Sequence, residues 1–114
     1  MKIVINDDFG GFGLSNDGIR EYGRRAGLNL VEQTGSSSHM THFYKDSVGV
    51  DNYFSYYDIP RNDPILVSVV EDLGEEAFGL YSSLKVVEIP DGIEWEIMEY
   101  DGNEHIAENH RTWR

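Results

Sequence analysis

The first quarter of the chain changes from a continuous apolar run to apolar positions at helical spacing. Residues 2–5 form the run, which predicts a short buried strand. Beyond it, apolar side chains recur every three or four residues, with Ser15 suited to the N-cap of a helix and Gly27 to its C-cap. We therefore expect a strand, a glycine-containing turn and a helix, in that order.

A second helix is predicted by the segment that begins at Asp63. Asp63 suits the N-cap, and Pro64 suits the first helical position because the N–H that proline lacks has no partner there. Gly79 is expected to stop the helix after about Phe78. The apolar stripe of this helix consists of Leu66, Val69, Val70, Leu73 and Ala77.

The last third of the chain alternates short apolar-rich runs with turn sequences, which predicts a three-stranded antiparallel meander. The expected strands are residues 84–89, 93–100 and 103–108, joined at Pro90-Asp91-Gly92 and Asp101-Gly102. The register predicts three cross-strand pairs on one face: Ile89 with Ile93, Val87 with Trp95, and Ile97 with Ile106. The predicted fold class is therefore α+β, with two helices packed on one face of a mostly antiparallel sheet that the first strand joins.

The middle of the chain, residues 32–52, has no apolar period and predicts a flexible loop. Within it, residues 35–40 (Gly-Ser-Ser-Ser-His-Met) resemble an engineered or vector-derived spacer, so we base no functional argument on them. Residues 53–57 form a dense aromatic cluster, which suits either a core strand or a partner-binding surface. With 114 residues in all, we expect one domain with one core, residues 1–114.

The charge of the chain limits its partners. With 21 acidic residues against 9 Lys and Arg residues, the formal net charge is −12, which repels a nucleic-acid backbone. A nucleic-acid polymer is therefore not expected as a partner. No apolar run approaches the roughly 18 residues of a membrane-spanning helix, and no signal peptide is visible. Because cysteine is absent as well, we expect a cytoplasmic protein without disulfides and without contact with a membrane.

The turn after the first strand is the candidate ligand site. Gly10, Gly11 and Gly13 allow close backbone approach, while Phe9 and Phe12 offer flat apolar faces beside a helix N-terminus. Amides and aromatic faces in one turn are typical of a site for a small ligand.

Three arginines are the candidates for binding the phosphates of such a ligand, because a guanidinium group matches phosphate geometry. They are Arg24, on the first predicted helix, Arg61, before the second, and Arg111, near the C-terminus. The surplus of aromatic residues for so small a domain predicts a homodimer or a higher even-numbered oligomer. The candidate interface residues are Tyr56, Tyr57 and Trp113, and Arg111 is expected at or near the same interface.

No catalytic constellation is evident in the spacing of nucleophiles, histidines and acids. The run Asn6-Asp7-Asp8-Phe9-Gly10, followed by Leu14-Ser15, superficially resembles the start of the YdjC-type carbohydrate deacetylases, in which an acidic residue assists a metal centre. Here Gly11-Phe12-Gly13 interrupts that motif, and the chain is less than half the length of a barrel enzyme. We therefore expect no catalytic residues, metal or cofactor.

Longer motifs in the chain resemble a family of small tailed-phage proteins that has no assigned activity. The matching segments come from both ends of the chain and leave out the middle loop; they are residues 5–15, 58–61, 63–64, 69–74, 84–90, 94–97, 99–102 and 110–113. Relatives often carry cysteine where this chain has Asp8, so no role is transferred to that acid. The resemblance implies a phage accessory protein that acts in the cytoplasm of the host cell.

Two functions are consistent with these observations. The first, by analogy with anti-defence sponges such as the anti-Thoeris type, is sequestration of a small nucleotide-like signal without cleavage. The second is an acidic protein-interaction module, which inhibits a host enzyme or takes part in phage assembly.

Overall fold

The computed structural model describes residues 1–35 and 40–108, and within them the fold is α+β, as predicted. Two helices, α1 (Asn16–Ala26) and α2 (Pro64–Leu73), pack against each other. The seven strands are β1 (Lys2–Asn6), β2 (Leu30–Thr34), β3 (Thr41–Lys45), β4 (Tyr53–Phe54), β5 (Leu84–Glu88), β6 (Trp95–Tyr100) and β7 (Asn103–Glu108). Short 3₁₀ helices occupy Val50–Asn52, Tyr56–Asp58 and Gly74–Ala77.

The strands form three small antiparallel sheets rather than one. β1 pairs with β5, the order of the second sheet is β2-β3-β4, and β6 pairs with β7. Helix α2 covers the β1–β5 pair, and α1 packs beside α2. The β2-β3-β4 sheet joins the same core through two buried rings, Phe43 and Phe54. Phe54 stacks on Tyr22 of α1 with 6.1 Å between ring centroids.

The predicted helix caps are confirmed at three of the four helix ends. The Ser15 hydroxyl accepts the Gly18 N–H at 3.0 Å, and Gly27 adopts the left-handed conformation, with φ of 73°, that ends α1. The Asp63 carboxylate accepts the Ile65 N–H at 2.8 Å. Helix α2 ends earlier than predicted, at Leu73, since Gly74 takes a φ of 57° and a tighter 3₁₀ turn follows.

The expected meander is only half formed. Its second hairpin has the predicted register, with Ile97 opposite Ile106, whereas Val87 lies opposite Ile3 of β1 and not opposite Trp95. The turn between β5 and β6 contacts the N-terminus instead. The Met1 ammonium group donates to the Ile89 carbonyl and to the Asp91 carboxylate, each at 2.8 Å. The first strand therefore joins the expected meander at β5, as predicted, but β5 and β6 do not pair.

Part of the segment 32–52, for which a flexible loop is predicted, is strand: β2 and β3 pair with each other as an antiparallel hairpin. Their pairs mix polar and apolar residues, as in Leu30 with Lys45, and end at Thr34 with Thr41, whose hydroxyl oxygens lie 3.0 Å apart. Only Phe43 of this hairpin is fully buried, which explains why no apolar period marked it. Residues 36–39 of the proposed spacer lie outside the described residues.

A buried polar junction links β1 to the C-terminal hairpin, and we call it the Asn6 junction. The Asn6 side chain is fully buried and donates to the carbonyls of Asp8 and Gly102, both at 2.7 Å. Its amide oxygen accepts the Ser83 N–H at 2.9 Å, and its backbone N–H donates to Glu104 at 2.8 Å. Every hydrogen-bonding group of this buried amide therefore has a partner, as burial requires.

Candidate functional site

Gly10 and Gly13 of the predicted ligand turn pack against other backbone segments, whereas Gly11 has a φ of 90° and open space where a Cβ would lie. A Cβ atom at Gly10 would lie 1.9 Å from the Tyr81 carbonyl oxygen, and one at Gly79 would lie 2.7 Å from the backbone of Gly13. The Gly13 carbonyl also accepts hydrogen bonds from the Gly79 N–H at 3.0 Å and the Ser82 hydroxyl at 2.8 Å. Close packing between backbones therefore accounts for Gly10. Where Gly13 and Gly79 meet, the close approach excludes a Cβ at Gly79 rather than at Gly13.

The two phenylalanines of the turn do not form one aromatic face. Phe9 is exposed over 62% of its surface, whereas Phe12 is 5% exposed and belongs to the core. The guanidinium carbon of Arg61 lies 3.5 Å from the centroid of the Phe12 ring, so this face is already covered. In this arrangement only Phe9 presents its ring to solvent.

Arg61 forms a tight ion pair inside the protein. Its two terminal nitrogens donate to the Glu104 carboxylate at 2.6 and 2.9 Å, and one of them also donates to the Val4 carbonyl at 3.3 Å. The Glu104 side chain is only 9% exposed. With a carboxylate, a carbonyl and the ring of Phe12 around it, Arg61 has little capacity left for a ligand phosphate.

Arg24 lies too far along α1 to share a site with the turn. Nine residues separate it from Ser15 at the start of the helix, which is about 14 Å at the helical rise. Its guanidinium group pairs with Glu21. Hydrogen bonds from Arg24, the larger cause, and from Arg25 lower the pKa of Glu21 to about 2. The remaining candidates, Arg111 and Trp113, lie outside the described residues.

Tyr56 and Tyr57 lie directly beside the turn. Their rings are 5.8 and 6.3 Å from that of Phe12, and the Tyr57 hydroxyl donates to the Phe12 carbonyl at 3.3 Å. Burial, followed by a hydrogen bond with Tyr57, raises the pKa of Tyr56 to about 12. Tyr57 itself is 65% exposed. These two predicted interface residues thus connect the turn to the surface.

A cavity of about 300 Å³ opens on the other side of these tyrosines, and we call it the Tyr57 cavity. It lies between the start of α1 and the β3–β4 edge. Half of its described lining residues bear rings, and none of them is Lys or Arg. Its lining residues are Leu14, Asn16, Ile19, Met40, Thr41, His42, Phe43, Tyr53, Phe54, Ser55, Tyr56 and Tyr57.

A second cavity, of about 520 Å³, lies on the outer face of the β2-β3-β4 sheet, and we call it the Tyr44 cavity. His42, Tyr44 and Tyr53 form its aromatic wall, and the residues 48–50 form the other side. His42 and Tyr53 thus border both cavities.

Sequence reasoning missed His42 and Tyr44 because both follow the segment set aside as a spacer. The strand alternation of Thr41-His42-Phe43-Tyr44-Lys45 was the available signal, since Phe43 is buried while its two neighbours point the other way. Among the residues that the structure describes, no group of three His, Asp or Glu side chains is arranged to hold a metal ion. Nor is any described helix long and apolar enough to cross a bilayer.

Comparisons of the chain with protein-family models, with curated proteins and with solved structures found no match. The functional argument therefore depends on the geometry of the two cavities.

Proposed function

We propose that the protein is a non-enzymatic binding protein that captures the planar part of a small nucleotide-like ligand in the Tyr57 cavity. The observation that carries this proposal is the wall of that cavity, which combines four ring-bearing polar residues with a volume of about 300 Å³. Ligand sites of this size are mostly apolar, with a few polar groups that fix orientation. Those ring residues are His42, Tyr53, Tyr56 and Tyr57.

Stacking rather than charge would supply most of the affinity. The described part of the cavity wall contains no Lys or Arg, and Arg20 and Arg61 are paired with carboxylates. Stacking of a base on a tyrosine ring contributes about 1–3 kcal/mol of binding free energy. Asn16 and Ser55, which also line the cavity, offer hydrogen bonds. The ligand would therefore be recognised by its base, and affinity would change little with salt.

Capture without cleavage fits the hydrogen bonds of the described hydroxyls in the wall, since the Thr41 hydroxyl pairs with that of Thr34 and the Ser55 hydroxyl accepts the Tyr57 N–H. By analogy with anti-defence sponges, we propose that such capture serves counter-defence by a phage, in which a sponge lowers the concentration of a host signal. The ligand should then be recovered intact after the complex is denatured by heat. Recovery of a cleaved product would assign the protein to the enzymes instead.

Isothermal titration with adenosine, AMP and ADP-ribose tests the site. Tyr57→Ala should weaken binding of the ligand that is taken up by at least about fivefold, the loss expected for one stacked base. Tyr100→Ala removes an equally exposed tyrosine, 73% against 65%, from the β6–β7 hairpin and should leave binding unchanged. Equal affinities of the two variants would exclude the Tyr57 cavity as the site.

The second candidate function is an acidic protein-interaction module, and the exposed aromatic face at the Tyr44 cavity favours it. Tyr53 and Val50 there are 51% and 94% exposed on a chain of net charge −12. A stoichiometric protein partner from host lysate, with no thermal shift on addition of nucleotides, would favour this function over ligand capture.

A further inference from the structure

The outer face of the β2-β3-β4 sheet carries ring-bearing side chains that line a cavity together with residues 48–50. Side chains alternate along a strand, so His42 and Tyr44 point away from the core that holds Phe43, which is 3% exposed. Tyr53 lies opposite Tyr44 in the β3–β4 register and shares this outer face. Strand pairing therefore fixes three aromatic rings on the solvent side of the sheet.

These rings form a corner rather than a flat stack. The Tyr44 and Tyr53 rings meet at 71° with 5.7 Å between centroids, and His42 lies 5.9 Å from Tyr53 at 55°. Opposite them, Val48 and Val50 close the cavity of about 520 Å³. Two ring faces at a steep angle can both point at one guest, which is the arrangement that aromatic cages use for cations.

The loop that closes this corner is held in place by hydrogen bonds. The Asn52 side chain donates to the Ser47 carbonyl at 3.0 Å and to its hydroxyl at 2.9 Å, while the Asn52 N–H donates to the Gly49 carbonyl at 3.0 Å. The Asp46 N–H reaches back to the Asn29 carbonyl at 2.8 Å. The cavity is thus formed before any guest binds, which lowers the entropic cost of binding.

The charge around the corner is negative. Asp46 and Asp51 are exposed on the same loop and form no ion pair with a described residue. The nearest lysine in the sequence, Lys45, alternates to the inner side, where its ammonium group lies 5.7 Å from the Phe54 ring centroid. With a net charge of −12 on the whole chain, the field over this face attracts cations.

We propose that the Tyr44 cavity binds an arginine or lysine side chain from a basic segment of another protein. The Tyr44–Tyr53 corner takes the cation, Asp46 and Asp51 complement the charges that flank it, and the two valines contact its aliphatic stem. A basic segment fits this face better than a second copy of this chain, because the chain has only 9 Lys and Arg residues against 21 acidic ones.

Fluorescence anisotropy with a labelled Gly-Arg-Gly-Arg-Gly-Arg-Gly peptide tests the proposal. Tyr44→Leu should weaken binding about threefold or more, whereas Tyr44→Phe, which keeps the ring, should bind like the wild type. Thermal melting shows whether each variant is folded. Equal peptide binding by a folded Tyr44→Leu variant would overturn the proposal.

The role of charge is tested by comparing peptide binding by Asp51→Asn and by Asp101→Asn. The second variant removes the same charge from the turn of the β6–β7 hairpin. At about 0.15 M salt only charges within roughly 8 Å act strongly, so Asp51→Asn alone should weaken binding. Equal losses in both variants would mean attraction to the whole acidic surface and would refute a defined site. A dimer that Tyr44→Leu converts to a monomer would reassign the face to a second copy.

The two cavities can be tested independently, because Tyr44 borders only one and Tyr57 only the other. Tyr44→Leu should lower peptide binding and leave nucleotide binding intact, and Tyr57→Ala should do the reverse. A negative result for peptide binding therefore leaves the proposal for nucleotide binding open, and the reverse also holds.

Discussion

At the scale of single residues, the most constrained group is the Arg61–Glu104 pair. The guanidinium group lies between the Phe12 ring and a carboxylate that is 9% exposed. That carboxylate also receives the Asn6 N–H. Removing either partner leaves the other charged and poorly solvated, which costs more than losing an exposed ion pair.

We predict that Glu104→Ala lowers the free energy of unfolding by about 3 kcal/mol, because it leaves the Arg61 charge without its partner. Urea denaturation measures the change. Glu96→Ala, which removes an exposed carboxylate from the same hairpin, should cost less than about 0.5 kcal/mol. Similar costs for the two variants would show that the pair is as weak as a surface ion pair.

The glycines of the ligand turn give a second prediction at this scale. Gly10→Ala should destabilise the protein by about 1–3 kcal/mol, because the new Cβ would lie 1.9 Å from a backbone oxygen of Tyr81. Gly13→Ala should be milder, since its nearest neighbours lie 3.6 Å away. Thermal melting of both variants, with ligand titration alongside, separates the packing role of Gly10 from a role in binding.

At the scale of elements, local signals were predictable from the sequence and distant ones were not. Ser15, Gly27 and Asp63 act within a few residues of themselves, so their capping roles could be assigned correctly. The pairing of Val87 with Ile3 depends on a strand at the far end of the chain. The turn sequence Pro90-Asp91-Gly92 does not indicate that β1, rather than β6, pairs with β5.

The candidate site shows the same division. Tyr56 and Tyr57 were named from a cluster of neighbouring aromatics, and the structure places them on a cavity wall. Arg61 was named for its charge, yet its partner Glu104 is 43 residues away. No local pattern distinguishes a free arginine from one that is already paired.

The contact between α1 and α2 gives a pH-dependent prediction. The Tyr22 hydroxyl donates to the Asp63 N-cap at 2.8 Å, and burial, followed by this hydrogen bond, raises the pKa of Tyr22 to about 12 from its ordinary 10.0. A pKa that is higher in the folded state stabilises below pH 10, and this contribution is lost as the pH rises through 12. Stability should therefore fall between pH 10 and 12.

Tyr22→Phe should flatten that fall, although part of it remains because Tyr56 has a pKa raised to about 12 as well. Urea denaturation at pH 8, 10 and 11.5 measures the slope. Tyr100→Phe changes a tyrosine that is 73% exposed and should leave the slope as in the wild type. An unchanged slope in Tyr22→Phe would contradict the assignment.

At the scale of the whole molecule, large apolar side chains are exposed in several places. Leu80, Tyr81 and Tyr100 are 87%, 70% and 73% exposed, in addition to Phe9 and the outer face of the β2-β3-β4 sheet. Surfaces of this kind mark sites of association. The net charge of −12 opposes association of identical chains.

We predict that the protein forms a homodimer or a higher even-numbered oligomer, and that association strengthens with salt as the like charges are screened. Light scattering at micromolar concentration in about 50 mM and 300 mM salt measures both effects. Trp113→Ala and Arg111→Ala should weaken association. A mass near 13.0 kDa at both salt concentrations would show that the chain is a monomer.

The Asn6 junction has a consequence for the order of folding. Neither β6 nor β7 contains a fully buried residue, so the hairpin is attached mainly through polar contacts of Gly102 and Glu104. The hairpin closes between residues close in sequence, on the scale of microseconds. Docking of the hairpin onto β1 joins pairs of residues that are separated by 96 and 98 positions in the sequence. This step therefore carries a much larger entropic cost. The hairpin should therefore dock last, and it should be the first unit to detach and exchange its amide hydrogens while the helices stay folded.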